Sequence, residues 1–310
     1  MLTTLRIATR QSKLALWQAE HVADLLRVAH PDLQVELVKL TTQGDRIVDR
    51  PLAAIGGKGL FIKELEVALA ENRADLAVHS MKDVPSDLPP GMMLAAMLPR
   101  ADARDAFISN RYVSLEALPT GAKVGTSSLR RECQLRHVRP DLQIVPLRGN
   151  VDTRLRKLDA GEFDAIILAG AGLIRLGLDE RITQLLSTDQ SLPAVGQGIV
   201  GIECRSDDAR TLARVDILDN AEAQICVTAE RAFAQRLEGS CQSPIAGHAE
   251  LIEDRVALRG LIASVDGRQV FRDSVIGSQR EAAQLGRALA ERMLYAGADA
   301  LLREQRAAAR

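Results

Sequence analysis

The cysteine with the most unusual sequence environment is Cys241, within Gly239-Ser-Cys-Gln-Ser-Pro244. A structural cysteine is normally surrounded by apolar residues. Small and polar neighbours before a proline predict an exposed turn instead. A thiol in such a turn is accessible for covalent chemistry. Cys204 and Cys226, within a predicted strand and a predicted helix, are expected in the core. Cys133, between these extremes, is either packed or of lowered pKa.

Basic and polar side chains recur directly after predicted strands. The carboxyl ends of parallel strands meet at one edge of a sheet, where ligands bind. Helix N-termini and guanidinium groups at such an edge favour anions. The sequence therefore predicts a site for a ligand with several negative charges. The alternative, arginines that are solvated or paired on helix surfaces, fits Arg136, Arg139 and Arg156. The residues at strand ends are Arg10, Ser12, Ser80, Lys82, Asp83, Thr126, Ser127, Ser128, Arg130, Arg131, Arg148, Asn150, Arg154 and Arg175.

Asp83 is an acidic residue within this basic set. The following Val84-Pro85 keeps the chain extended and stiffens the loop. A carboxylate among arginines could stabilise a developing cation or transfer a proton. The alternatives are a helix cap or a salt bridge with Lys82.

A stretch rich in glycine, aspartate and arginine between residues 41 and 58 predicts a mobile loop or lid. It ends in Gly56-Gly-Lys-Gly59, which is not a phosphate-binding P-loop because no serine or threonine follows the lysine. Lys58 could reach an anion from this loop, or it could be an ordinary solvated lysine.

The order of predicted elements indicates two kinds of architecture. Up to about residue 205, short strands alternate with amphipathic helices, which predicts a mostly parallel sheet covered by helices. A helix at 221–237, three alternating strand-like runs and a final helix from about residue 279 predict a separate α+β domain. The first strands are expected at 5–9, 35–40, 76–79, 124–126, 144–147, 165–169 and 199–204, and the later ones at 245–252, 256–264 and 269–275.

Composition limits the classes of function. The 310 residues carry a net charge of −1 and only 3% aromatic residues, which argues against a nucleic-acid binder. No apolar run approaches the length of a membrane span. No signal peptide is visible and the cysteines lack the spacing of metal ligands, so we expect a cytoplasmic protein without a metal.

Six stretches of the sequence are specific enough to identify a family. They are Ile7-Ala-Thr-Arg-Gln-Ser-Lys-Leu-Ala-Leu-Trp-Gln18, Gly56-Gly-Lys-Gly-Leu-Phe61, Ala77-Val-His-Ser-Met-Lys-Asp-Val-Pro85, Gly125-Thr-Ser-Ser-Leu-Arg-Arg131, Leu147-Arg-Gly-Asn-Val-Asp-Thr-Arg154 and Gly239-Ser-Cys-Gln-Ser-Pro244. In these stretches the sequence resembles the porphobilinogen deaminases, or hydroxymethylbilane synthases, of haem and tetrapyrrole biosynthesis. The resemblance runs essentially from end to end.

The resemblance implies a specific chemistry for two residues. Cys241 would hold a dipyrromethane cofactor through a thioether and so anchor the primer. Asp83 would be the acid/base that helps to expel ammonia from porphobilinogen and would stabilise the resulting cation. Four porphobilinogen units would be joined head to tail before water releases linear hydroxymethylbilane.

Roles for the remaining residues also follow from the resemblance. Each pyrrole ring brings an acetate and a propionate, so the growing chain gains negative charge at every step. The cofactor would contact Lys82, Asp83, Thr126, Ser127, Ser128, Arg130, Arg131, Arg148 and Asn150. The substrate would contact Arg10, Ser12, Gln18, Lys58, Ser80, Arg148, Arg154, Arg175 and Gln197.

The fold implied by the resemblance is α/β, with two lobes like those of periplasmic binding proteins and mostly parallel sheets. A C-terminal α+β domain with a small antiparallel sheet would follow. The expected domains are 1–98 with 199–217, 103–194, and 219–310, in a monomer. Ser240 and Ser243 depart from the family pattern, which leaves the rate of cofactor attachment open. The rival function is a non-catalytic anion-binding protein of periplasmic-receptor type.

Overall fold

A computed structural model of the protein describes residues 3–46, 59–239 and 243–308. The chain divides into two compact units. The first unit, here called the first lobe, contains the described residues 3–46, 59–101 and 198–224. The second unit contains the second lobe, residues 102–197, and the C-terminal domain, residues 225–239 and 243–308. Lys58 and Cys241, both predicted site residues, lie outside the described residues.

Strands form three sheets in the described part of the chain. They are β1 Thr3–Arg10, β2 Leu33–Leu40, β3 Leu76–Ser80, β4 Met92–Met97, β5 Asp105–Ile108, β6 Lys123–Gly125, β7 Gln143–Val145, β8 Ala165–Ala169, β9 Gln184–Leu185, β10 Val200–Arg205, β11 Ile245–Ile252, β12 Arg255–Ala263 and β13 Val270–Ser278.

Helices alternate with these strands. The α-helices are Lys13–Ala29, Gln43–Arg46, Lys63–Ala70, Leu129–Val138, Val151–Asp159, Gly170–Arg175, Ala209–Val215, Ala221–Arg236, Ala282–Met293 and Asp299–Ala308. Within the described ranges, no helix combines the length and the apolar character that crossing a membrane requires.

The first lobe has a five-stranded sheet in the order β2-β1-β3-β10-β4. β1 is parallel to β2 and β3, whereas β10 runs antiparallel to β3 and β4. The helix Lys13–Ala29 packs on this sheet through Ala19, Val22, Ala23 and Leu26, which are fully buried. Their spacing of three and four residues places them on one helical face, and this face packs against the sheet. The helix follows β1 directly in the chain.

The second lobe has a five-stranded sheet in the order β7-β6-β8-β5-β9. β6 is parallel to β7 and β8, and β5 runs antiparallel to β8 and β9. The prediction of mostly parallel, helix-covered sheets is confirmed in both lobes. The reversed strands β10 and β5 were not anticipated, because strand direction leaves no trace in hydrophobic periodicity.

The C-terminal domain is built on an antiparallel sheet in the order β11-β12-β13. Its core joins the helices Ala221–Arg236 and Ala282–Met293 to the sheet through Phe233, Leu258 and Leu289, all fully buried. The predicted antiparallel sheet is confirmed. The helix predicted from about residue 279 is found as Ala282–Met293. The second helix, Asp299–Ala308, was not predicted; Gly297 adopts a φ of 115° and separates the two.

A turn at Gly267 brings the C-terminal sheet into contact with the helix Leu129–Val138 of the second lobe. Gly267, between β12 and β13, has a φ of 72°, and a Cβ there would lie 2.6 Å from the carbonyl oxygen of Cys133. The carbonyl oxygen of Gly267 lies 3.1 Å from Nδ1 of His137. Only glycine fits this close approach, which fixes the end of the helix that carries Arg130 and Arg131.

Candidate active site

In the first lobe, the carboxyl ends of β1 and β3 lie side by side. The register pairs Ala8 with Ala77, so both strands deliver their next residues to the same edge of the sheet. Arg10 ends β1, and its guanidinium lies 4.4 Å from the centre of the Phe61 ring. This cation–π contact holds the arginine side chain at the edge.

Polar side chains at this edge are hydrogen-bonded to one another and to the backbone. The buried Gln18 donates from Nε2 to the Ser80 hydroxyl at 2.8 Å. Ser12 caps the helix Lys13–Ala29, because its hydroxyl accepts the N–H of Ala15 at 3.4 Å. The structure therefore brings Ser12, Gln18 and Ser80 to the predicted edge, with part of their hydrogen-bonding capacity already used.

Asp83 lies in a single 3₁₀ turn, Met81–Asp83, that follows β3 directly. The Met81 N–H donates to the Ile199 carbonyl at 3.0 Å, which ties the turn to the start of β10. Asp83 is half-buried, and none of the described residues forms a hydrogen bond or an ion pair with its carboxylate. The salt bridge with Lys82 that the sequence left open is not formed. The backbone of the turn thus fixes the position of this carboxylate at the edge of the sheet.

A buried pair lies in the sheet next to this turn. Nε2 of His79, at 4% exposure, lies 2.8 Å from Oε2 of the fully buried Glu203. The pair cross-links β3 and β10 one residue before Ser80. Sequence reasoning did not select Glu203, because it falls inside a predicted apolar strand.

In the second lobe, too, polar side chains that follow the strands lie together at one edge of the sheet. β6, β7 and β8 are parallel neighbours, so the loops that follow them converge. After β6, the Ser127 hydroxyl donates to the Leu147 carbonyl at 2.9 Å, and the Thr126 hydroxyl accepts the Ser128 N–H. After β7, Asn150 caps the helix Val151–Asp159 by accepting the Thr153 N–H at 2.9 Å.

Three predicted arginines of this lobe are half-buried at the same strand ends. Arg148 follows β7, Arg154 lies one turn into the next helix, and Arg175 ends the helix after β8. Burial lowers the pKa of Arg148 and of Arg175 from the ordinary value. Such guanidiniums remain charged at neutral pH, and a partly desolvated cation gains more from an anionic ligand than a hydrated one does.

Arg130 and Arg131 lie in the first turn of the helix after β6 and are almost completely buried, at 4% and 6% exposure. Both pair with the fully buried Asp105. Arg131 donates to its Oδ1 from Nε at 3.1 Å and from Nη2 at 2.8 Å. Nη1 of Arg130 lies 2.9 Å from Oδ2. Burial opposes ionisation of Asp105, but the two guanidiniums outweigh burial and hold the pKa of this carboxyl well below its ordinary value.

Two further side chains complete this group, which we call the Asp105 cluster: Asp105, Arg130, Arg131, Ser191 and Gln197. The Ser191 hydroxyl donates to Oδ2 of Asp105 at 2.7 Å. Gln197 donates from Nε2 to Oδ1 at 2.9 Å and to the Ala103 carbonyl at 2.6 Å. Gln197, predicted as a substrate contact, is thus fully buried within the cluster.

Asp105 is the residue of this site that the sequence analysis missed. It was missed because only residues after strands were considered, whereas Asp105 begins a strand. β5 runs antiparallel to β8 and pairs Asp105 with Ala169, the last residue of β8. The start of a reversed strand therefore reaches the same edge as the ends of its neighbours. The sequence signal that could have identified Asp105 is an acidic residue directly before the apolar run Ala106-Phe-Ile108.

The described cysteines, Cys133, Cys204 and Cys226, are buried free thiols. Burial raises the pKa of Cys133 to about 12, in spite of Arg130 nearby. Of the two interpretations of Cys133, packing is therefore the correct one. The expected core positions of Cys204 and Cys226 are confirmed.

Fold and charges together define a class: an α/β protein with two lobes, each built on a five-stranded sheet with cationic side chains at its strand ends. A C-terminal domain with a small antiparallel sheet is attached. The family model described as "Porphobilinogen deaminase, dipyromethane cofactor binding domain" matches residues 5–213. The model for "Porphobilinogen deaminase, C-terminal domain" matches residues 224–295. The chain belongs to the porphobilinogen deaminase family, and it is a transferase with a dipyrromethane cofactor.

Three solved structures are among those that resemble this chain. The methionine-binding protein MetQ is 15% identical, with 69% of this chain and 89% of that chain covered and a TM-score of 0.45. The periplasmic VFT2 domain of BvgS from Bordetella pertussis is 13% identical, covers 69% and 85%, and has a TM-score of 0.42. Protein PG110 from Staphylococcus aureus is 15% identical, covers 93% and 99%, and has a TM-score of 0.43.

The donor set of the second lobe fits a cofactor rich in carboxylates. The Asp105 cluster holds two guanidiniums against one carboxylate, and no second acidic side chain among the described residues pairs with either arginine. A further carboxylate would balance this excess charge. The half-buried Arg148 and the helix that begins at Val151 offer additional donors on the same edge.

Proposed function

We propose that this chain joins four porphobilinogen molecules on a dipyrromethane held by Cys241, with Asp83 as the acid/base and the strand-end arginines as carboxylate ligands. The proposal is carried by the family match, which spans both parts of the chain. Asp83 fits the role of acid/base because no described residue binds its carboxylate. A non-catalytic anion receptor is not favoured by that match.

Asp83 is suited to proton transfer because its carboxylate has no protein partner in the described structure. At the substrate's aminomethyl nitrogen, it would hold the proton that leaves with ammonia. Once ammonia has left, the same carboxylate would stabilise the cationic carbon by its negative charge. The turn Met81–Asp83 is tied to β10, so the carboxylate is held in place without being neutralised.

The arginines would bind and orient carboxylates rather than take part in bond formation. A guanidinium is permanently charged and matches a carboxylate with two parallel N–H donors. Arg10 and Arg175, on the first and second lobes, would hold acetate and propionate groups of the substrate. Arg130, Arg131 and Arg148 would hold those of the cofactor. Lys58 would contribute from the loop that precedes Gly59.

The cofactor supplies a pyrrole carbon to which the incoming unit is joined. Cys241 would provide its thioether link, in a C-terminal domain that packs against the helix bearing Arg130 and Arg131. The domain division at 1–98 with 199–217, 103–194 and 219–310 remains part of the proposal. So do a monomeric state and a cytoplasmic location, which suits a biosynthetic enzyme with buried free thiols.

The proposal is tested by incubating the purified protein with porphobilinogen. We expect one ammonia released for each molecule consumed, and adducts on the protein that differ by single pyrrole units in intact-mass spectra. Linear hydroxymethylbilane should appear in solution. A protein that binds porphobilinogen reversibly without releasing ammonia would instead be an anion-binding receptor.

A further inference from the structure

Asp105 holds both guanidiniums of the arginine pair at the edge of the second lobe. Its carboxylate accepts five hydrogen bonds, from Arg130, twice from Arg131, from Ser191 and from Gln197. These bonds come from four side chains, two on the helix Leu129–Val138 and two on the connection between β9 and β10. A carboxylate this heavily engaged has no remaining capacity for a ligand or a proton.

The same bonds restrict how the two guanidiniums can turn. Arg131 is fixed on one side by Asp105 and on the other by the Ile167 carbonyl, at 3.2 Å from Nη1. Arg130 is fixed by Asp105 and by the Leu192 carbonyl, at 2.6 Å from Nη1. Two adjacent cations would otherwise repel each other and separate.

The cluster keeps one net positive charge, because two guanidiniums share one carboxylate. Burial makes this charge costly until an anion joins it. The arrangement therefore prepares the pair for one ligand carboxylate, and the resident carboxylate determines the direction from which that ligand is bound.

We propose that Asp105 is a positioning residue for dipyrromethane loading: it orients Arg130 and Arg131 and limits the pair to one additional carboxylate. The inference rests on the proposed function, in which these arginines bind the cofactor. Asp105 itself does not touch the cofactor in this account, so its effect passes through the guanidiniums.

The test compares Asp105→Asn with two controls, all purified as full-length protein. Asp105→Asn keeps the shape of the side chain but removes its charge. Asp102→Asn makes the same change in the ion pair with Arg104, whose side chain is 44% exposed. Phe107→Leu removes packing on the same strand without touching the arginines, so it reports what loss of stability alone does to loading.

Intact mass gives the ratio of cofactor-loaded to bare chain, and thermal unfolding gives the stability of each variant. We expect this ratio to fall at least about 10-fold in Asp105→Asn, since misplaced ligand-binding groups cost about that much or more. Asp102→Asn should match the wild type. Phe107→Leu should lose melting temperature but keep its cofactor.

Three results would overturn the inference: two concern Asp105→Asn, and one concerns the variant that replaces it if it does not fold. The first is an Asp105→Asn protein that is loaded like the wild type. The second is equal loss of cofactor in Asp105→Asn and Phe107→Leu at equal melting temperature, which would show a purely structural role. If Asp105→Asn does not fold, Ser191→Ala replaces it, because it keeps all three charges of the cluster and removes only one hydrogen bond. We expect partial loss of loading there, and wild-type loading would overturn the inference. A wild type that never carries cofactor would instead refute the proposed function.

Discussion

Two aspartates at corresponding edges of the two lobes have opposite environments. Asp83 follows β3 of the first lobe, is half-buried, and has no partner among the described residues. Asp105 begins β5 of the second lobe, is fully buried, and accepts five hydrogen bonds. The same side chain can therefore serve proton transfer in one lobe and fix cations in the other. The number of donors around the carboxylate makes the difference.

The largest effect is expected from a change at Asp83, whose carboxylate has no partner among the described residues. Asp83→Asn should lower kcat by about 10²- to 10⁴-fold, the usual contribution of a general acid/base. Folding and cofactor content should stay at wild-type levels, because no described contact is lost. Rates of porphobilinogen consumption and intact mass measure the two quantities. Asp87→Asn, on the exposed loop that follows, is the matched control. Wild-type turnover in Asp83→Asn would remove Asp83 from its role.

For Asp105, whose carboxylate accepts five hydrogen bonds, we expect the removal of a partner to lower stability instead. Arg131→Met should lower the free energy of unfolding by about 3 kcal/mol, the lower end for one partner of a buried ion pair, because Arg130 still pairs with Asp105. Arg104→Met removes one partner of an exposed pair and should cost about 0–1 kcal/mol. Chemical denaturation of both variants checks the difference. Equal costs would show that the buried pair contributes no more than a surface pair.

The pH dependence of stability tests the ion pairs of Asp105 in a second way. The pKa of Asp105 is lower in the folded protein than in the unfolded chain. Its contribution to stability is therefore complete above the unfolded value of about 4 and is lost as the pH falls below it. Between pH 7 and pH 3, the difference in melting temperature between the wild type and Asp105→Asn should begin to narrow below about pH 4. A gap of constant size across this range would contradict the assigned ion pairs.

The smallest effects are expected at the helix caps of the two edges. Asn150→Ala and Ser12→Ala should each lower stability by about 1 kcal/mol. The cap bond of Asn150 is 2.9 Å and that of Ser12 is 3.4 Å, so Asn150→Ala should cost more. Denaturation midpoints measure both. A larger loss in Ser12→Ala would show that the cap geometry does not control the stability of these helices.

Much of the fold could be predicted from periodicity. β8 and β11 have the predicted bounds, and the other predicted strands are found within one to three residues at their ends. β4, β5 and β9 were missed. β4 consists of methionine, leucine and alanine, which favour helix as much as strand, and β9 has only two residues. The helix Asp299–Ala308 was not predicted, because Gly297 separates it from Ala282–Met293 through a backbone angle that periodicity does not reveal.

The candidate site was only partly predictable. Residues after parallel strands, such as Arg10, Asp83 and Arg148, were found because their position in the chain determines the sheet edge that they reach. Asp105 was not found, because a strand that runs in the opposite direction reaches that edge at its start. The engagement of Arg130 and Arg131 with Asp105 depends on tertiary contacts between segments 25 residues apart, which one sequence does not specify. The roles of the individual site residues stay predictions.

The most direct test is the intact mass of the purified protein beside that of Cys241→Ser. The wild type should exceed the 33.6 kDa chain by the mass of two linked pyrroles, and the serine variant should not. Porphobilinogen should then add further units to the wild type alone. An excess mass that persists in Cys241→Ser would contradict the assigned anchor. A wild type that stays at the bare-chain mass after incubation with porphobilinogen would contradict primer-dependent condensation altogether.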